Sequence, residues 1–212
     1  MIEMHGFWRS SAAYRVRIAL NLKGLPFRET FVDLDAGEQN RPDYRAINPQ
    51  GTVPTVLFED GTRLTQSLAI LEYLEETHPE PPLLPADPAG RARVRGIAGL
   101  FATDHHPVIV PRVRRYLRAR FGVDPDGEGD WVRHWLEEGL RIGEARLSAE
   151  PETGRFCHGD TPTIADLCLA SHMAASRVFG ADLSVGPTLL AIERNFLELD
   201  AFDSAQPSKQ KR

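Results

Sequence analysis

The stretch whose reading decides the fold is residues 48–78, "NPQGTVPTVLFEDGTRLTQSLAILEYLEETH". Two β-prone runs, 55–58 and 63–65, flank Asp60-Gly61, a dipeptide that tolerates the positive φ angles of a tight hairpin turn. From Ser67 the period changes. Ile70, Leu71 and Leu74 recur at helical spacing, and the run stops before Pro79. Val53-Pro54, just ahead of the hairpin, is a candidate cis bond, because a tertiary amide lowers the cost of cis to about 0.5–1 kcal/mol. The bend would expose the backbone N–H and C=O of Val53; an ordinary trans-proline loop is the alternative.

Upstream, residues 2–7 alternate loosely and read as a strand. "SAAYRVRIALNLKG", 11–24, then places Ala12, Val16, Ala19 and Leu20 on one helical stripe that ends at Gly24. "PFRETFVDL" reads as a second strand and "RPDYRAINPQ" as a short irregular segment, so the first eighty residues follow the order β-α-β-α-β-β-α. "HPEPPLLPADP" carries five prolines between 79 and 88, too many for a helix or a central strand. Beyond it the period is helical, over about 89–120, 131–148, 163–179 and 187–199. The expected organisation is an α/β domain over 1–80, a linker over 81–88, an all-α domain over 89–202 and a frayed polar tail over 203–212. Thr163 and Asp166 in "TPTIADLCL" form a capping box, a helix-starting device.

With 25 basic and 30 acidic residues the net charge is −5, which argues against nucleic acid or anionic lipid as a partner. The arginines of "RVRRYLRAR", 112–120, spread around a helix and read as a solvated face. Adjacent histidines in "DHH", 104–106, diverge on a helix, so no metal site is expected. The two cysteines, Cys157 and Cys168, fit free thiols in a reducing compartment. Neither a leader segment nor a run of about 18 apolar residues is evident, so the expectation is a cytoplasmic protein without a membrane partner.

Four separated motifs, "FWRSSAAYRVRIALNLKG", "INPQGTVPTV", "TQSLAILEYLEETHPEPPLLPADP" and "GDTPTIADLCL", together resemble the zeta class of glutathione transferases over residues 4 to 202. That resemblance implies a thioredoxin-like N-terminal domain, an all-helical C-terminal domain and a two-fold homodimer. It also implies glutathione as cofactor and cis-trans isomerisation of maleylacetoacetate or maleylpyruvate in the breakdown of aromatic compounds. The groups exposed at Val53 and Pro54 would then pair with the cysteinyl part of glutathione like an added strand. Gln66 and Ser67 lie where a helix begins and can present donors to a carboxylate; by resemblance it is the γ-glutamyl end. Gln39 and His106 match glutathione-contacting positions of the family.

"RSSAAYRVRIAL", residues 9–20, poses the chemical question. Hydroxyls at the mouth of a helix can cap it or hold an anion. A thiol of pKa about 8.5 is only a few per cent thiolate at neutral pH, and lowering it by two units takes about 2.7 kcal/mol. A helix N-terminus supplies about 0.3–1 kcal/mol, whereas a hydrogen bond to a charged group supplies about 1.5–3 kcal/mol. One serine is therefore expected to face the sulfur, Ser10 first and Ser11 close behind. Family members usually carry S-S-C-S here; Ala12 and Ala13 replace the last two, which removes a reactive thiol but leaves the isomerisation intact.

The implied substrate is a small dicarboxylate keto acid. It needs positive charge for two carboxylates and for the enolate formed when thiolate adds to its double bond. Arginine suits this because its planar fork binds carboxylate bidentately. Arg9 precedes the serines, and family members carry the same arginine. Arg112 matches an arginine of the maleylpyruvate-isomerising members. Arg177 lies one residue before the position, here Val178, where family members often have arginine. Two other activities use the same motifs: conjugation or dehalogenation of α-halo acids, and glutathione binding without catalysis.

Overall fold

The computed structural model describes residues 1–211 and divides into two compact units. The first comprises Met1–Leu83 together with the chain from Leu199 onward; the second is Leu84–Glu198.

In the first unit, β1 (Ile2–Gly6), α1 (Ser11–Leu22), β2 (Phe27–Phe31), α2 (Pro42–Ile47), β3 (Thr55–Leu57), β4 (Arg63–Thr65) and α3 (Ser67–Thr77) follow the expected order. The sheet runs β2-β1-β3-β4, with β1 parallel to β2 and β3 antiparallel to both of its neighbours. This is the thioredoxin-like arrangement. Asp60-Gly61 turns the hairpin: Gly61 has φ +86°, and Asp60 Oδ1 accepts the Thr62 N–H at 2.8 Å. Val53-Pro54 is cis, as is Glu80-Pro81.

α1 departs from the expected single stripe. It is buried on all sides from Ala13 to Leu20, including Arg15 and Arg17, because it packs against α3 on one flank and the end of the chain on the other. That end corrects the expectation of a frayed tail from 203. Short helices α10 (Asp200–Asp203) and α11 (Pro207–Gln210), numbered in chain order with those below, occupy it; Arg212 lies outside the described residues. Phe202 is fully buried, its carbonyl lies 3.4 Å from the Tyr14 hydroxyl, and Asn21 donates to Ala201 O at 3.1 Å. Burying this phenylalanine contributes about 1.5–3 kcal/mol toward anchoring the segment, alongside the buried Ala205 and the bonds from Asn21.

The second unit is helical: α4 (Pro88–Gly99), α5 (His106–Ile109), α6 (Pro111–Phe121), α7 (Pro125–Ala149), α8 (Ile164–Phe179) and α9 (Pro187–Leu197). The expected continuous helix over 89–120 is interrupted twice. Leu100–His105 widens to a π-helix, and Val110 is extended (ψ 156°) because Pro111 disfavours helical backbone in the residue before it. α7 starts earlier than expected, where Asp124 accepts the Gly127 N–H at 2.8 Å. Asp166 at the head of α8 accepts from the Thr163 N–H, the Thr163 hydroxyl and the Cys157 N–H, all within 2.9 Å, which closes the loop before the helix. Gly143 of α7 makes room for Phe101, whose ring would stand 2.7 Å from a Cβ there.

Candidate active site

Ser10 is the N-cap of α1, its backbone extended and its Oγ accepting the Ala13 N–H at 3.2 Å. Capping uses a lone pair, so the hydroxyl proton stays available to a second acceptor. The two roles weighed for this serine are thus compatible in one side chain. Tyr14 N–H closes the first helical bond onto Ser10 O, which leaves Ser11 and Ala12 as first-turn amides without a helical acceptor. Ser11 is half-buried at the first helical position.

Arg9 stands beside them, its guanidinium 5.6 Å from the centroids of both Phe7 and Trp8 and paired with Asp35. It is partly exposed, so the pair is a loop-to-loop contact open to solvent. Phe7 and Trp8 pack in one cluster with Val32, Tyr44 and Val53. Burial pushes the Tyr44 phenol up, so it remains a neutral donor, and it lies 2.7 Å from Thr52 O, next to Val53. Tyr44 of α2 thus anchors the backbone directly before Val53 and packs in the same cluster with it.

Gln66 caps α3 with φ +68°, the one positive φ of a non-glycine among the described residues. Such a conformation costs about 1–3 kcal/mol and persists only where the surroundings impose it. Its Nε2 donates to Gln50 Oε1 at 3.0 Å. Ser67, buried, accepts from Arg15 Nε at 3.0 Å. Gln39 is buried in a turn of 3₁₀ helix, with Nε2 3.5 Å from Leu34 O and Oε1 without a partner among the described residues. Gly51 passes over it so closely that a Cβ there would meet Gln39 O at 2.9 Å.

These contacts connect candidates of the first unit in three groups: Arg9 through Phe7 to Val53, Gln66 through Gln50 toward Gly51 and Gln39, and Ser67 through Arg15 to α1. His106, Arg112 and Arg177 belong to the second unit. His106 opens α5 directly after the π-helical turn, and Arg112 is exposed in the first turn of α6. Arg177 reaches Glu193 of α9 through Nε and Nη2, so, like Arg9, its guanidinium already has a carboxylate neighbour within its own unit.

Two arginines escaped the sequence reading. Arg15 and Arg17 are 2% and 1% exposed, and helical periodicity alone assigns neither a partner. The available signal was spacing, since Arg15 follows Ser11 by four residues on the same face.

A family model described as the glutathione S-transferase N-terminal domain matches residues 9–77. The maleylacetoacetate isomerase of Rhizobium meliloti is 47% identical over 208 residues, covering 98% of this chain and 97% of that one. The crystal structure of maleylacetoacetate isomerase from Methylobacterium extorquens with bound malonate and glutathione superposes with a TM-score of 0.96 at 50% identity, covering 99% and 98%. A holo maleylpyruvate isomerase, described as a bacterial zeta-class glutathione S-transferase, has a TM-score of 0.95 at 42% identity and covers 98% of each chain. Agreement of this extent at both the sequence and the fold level places the chain in the zeta class of the glutathione transferases.

Proposed function

We propose that this chain is a glutathione-dependent cis-trans isomerase of a maleyl keto acid, converting maleylacetoacetate or maleylpyruvate to the fumaryl isomer. The observation that carries the reading is Ser10, whose oxygen caps α1 while its proton is left to bond a sulfur anion.

The first unit fits the tripeptide in three places. The head of α3, with Gln66 and the buried Ser67 hydroxyl, suits a carboxylate. The unpartnered buried Oε1 of Gln39 suits an ammonium or amide donor. The backbone of Val53 suits the cysteinyl peptide group. Glutathione, when bound, supplies a thiolate that adds to the maleyl double bond and leaves after rotation about the resulting single bond. The Ser10 hydroxyl and the first-turn amides of α1 hold negative charge on sulfur, Ser11 standing next in line. Arg9 grips a substrate carboxylate once it leaves Asp35. We assign Arg112 to the second carboxylate and His106 to a glutathione contact from the helical unit. We further infer a cytoplasmic two-fold homodimer; Cys157 and Cys168, both buried and not joined in a disulfide, support a reducing compartment.

The test is direct. Purified protein mixed with glutathione and either maleyl keto acid should remove the cis-dione absorbance well above the uncatalysed rate. Decay at the uncatalysed rate with both substrates defeats the reading.

A further inference from the structure

Arg17 lies two turns into α1 with only 1% of its side chain exposed, and nothing about its place in the helix calls for a charge. Its guanidinium is engaged on every edge. Nε and Nη2 hold the two oxygens of Glu29 on β2 at 2.7 and 2.8 Å, Nη2 also donates to Phe7 O at 2.8 Å, and Nη1 lies 3.4 Å from Trp8 O. Phe7 O is itself the acceptor that closes the turn into α1, taking the Ser10 N–H at 3.0 Å. The same carbonyl thus joins the Ser10 backbone to Arg17. Gly6 completes the arrangement, because a Cβ there would fall 2.1 Å from Glu29 Oε1.

A matched pair of this kind projects little net field onto its surroundings, and apolar residues of equal volume often replace such pairs without loss of stability. What a planar fork provides, and a hydrocarbon cannot, is fixed geometry for the carbonyls it touches. We propose that Arg17, oriented by Glu29, is a positioning residue for the glutathione sulfur: by holding the carbonyls of Phe7 and Trp8 it sets the turn that aims the Ser10 hydroxyl. The inference rests on the reading of Ser10 given above and adds a residue to it.

Arg17→Lys tests it, since a single ammonium can keep Glu29 neutralised but cannot span both carbonyls. Glu29→Gln is the second variant, preserving shape while loosening the fork. The readout is the pH titration of thiolate absorbance in the protein saturated with glutathione, with circular dichroism and a thermal melt as the check on folding. In the unaltered protein the midpoint should lie below the free-thiol value of about 8.5. Arg17→Lys should raise it by about one unit, which is about tenfold less thiolate at a given pH, with glutathione still bound. Glu29→Gln should move it the same way by less. Folded variants with an unmoved midpoint overturn the positioning role while leaving Ser10 in place. A midpoint at the free-thiol value in the unaltered protein overturns both. If neither variant folds, the pair is a folding element and the positioning role falls.

Discussion

Arg15 Nε donates to Ser67 Oγ across 3.0 Å in a buried contact, joining the second turn of α1 to the first residue of α3. The two helix N-termini assigned to sulfur and to carboxylate are thereby tied through side chains rather than through the sheet alone. The serine oxygen is the acceptor in that bond, so its proton is directed away from the guanidinium.

Ser67→Ala should therefore weaken glutathione binding about tenfold, the value of one hydrogen bond to a charged group, while turnover at saturating glutathione stays near its original level. Calorimetric titration together with kcat measurement checks this. A loss confined to kcat would place Ser67 elsewhere in the reaction.

The paired serines should separate on two axes. Ser10→Ala removes the cap, costing about 1 kcal/mol and lowering the melting temperature by about 2–4 °C. It should also raise the thiol midpoint in the bound state. Ser11→Ala, which removes no cap, should leave the melt unchanged. If Ser11→Ala alone shifts the thiolate titration, the sulfur contact belongs to Ser11.

Asp35 is paired with Arg9, the guanidinium proposed to grip a substrate carboxylate. An exposed pair of this sort is worth about 0–1 kcal/mol, so Asp35→Asn should lower KM for the dianionic keto acid by up to about fivefold. Glutathione affinity should not change. Steady-state kinetics at low ionic strength gives the answer, and an unaltered KM in Arg9→Ala would remove Arg9 from the carboxylate site.

His5 of β1 is buried with its ring edge against Tyr44, and burial holds its pKa below the ordinary 6.5 despite the neighbouring Glu3. The unfolded chain thus takes up a proton that the folded chain refuses. Stability is full above 6.5 and declines as pH falls through the unfolded value toward the folded one. Urea midpoints at about pH 7.5 and about pH 5.5 should differ, and His5→Phe should narrow the difference. A gap as wide in the variant as in the parent assigns the acid sensitivity to other groups.

Much of this architecture was legible in residues that act on near neighbours. The turn at Asp60-Gly61, the helix start at Ser67 and the Thr163–Asp166 device each work within a few positions, and each stands where the sequence placed it, whereas the sequence left open which of the two serines caps α1. The interruption at Val110 was equally local, being written in Pro111, yet a continuous apolar period obscured it.

What the sequence determined by itself was therefore the succession of elements and the chemistry available at their ends. Only the tertiary structure decided which charge meets which. Arg9 finds Asp35 26 residues away, Arg15 finds Ser67 52 away, and Arg177 is taken by Glu193. The buried fork of Arg17 exists because β2 lies parallel to β1 in the register that pairs Glu29 with Met4, from where its carboxylate reaches Gly6. Helical period and capping are short-range forces that a linear pattern records. The partner of a buried ion depends on how strands pair and how a polar tail folds back, and burial makes that partner obligatory without naming it.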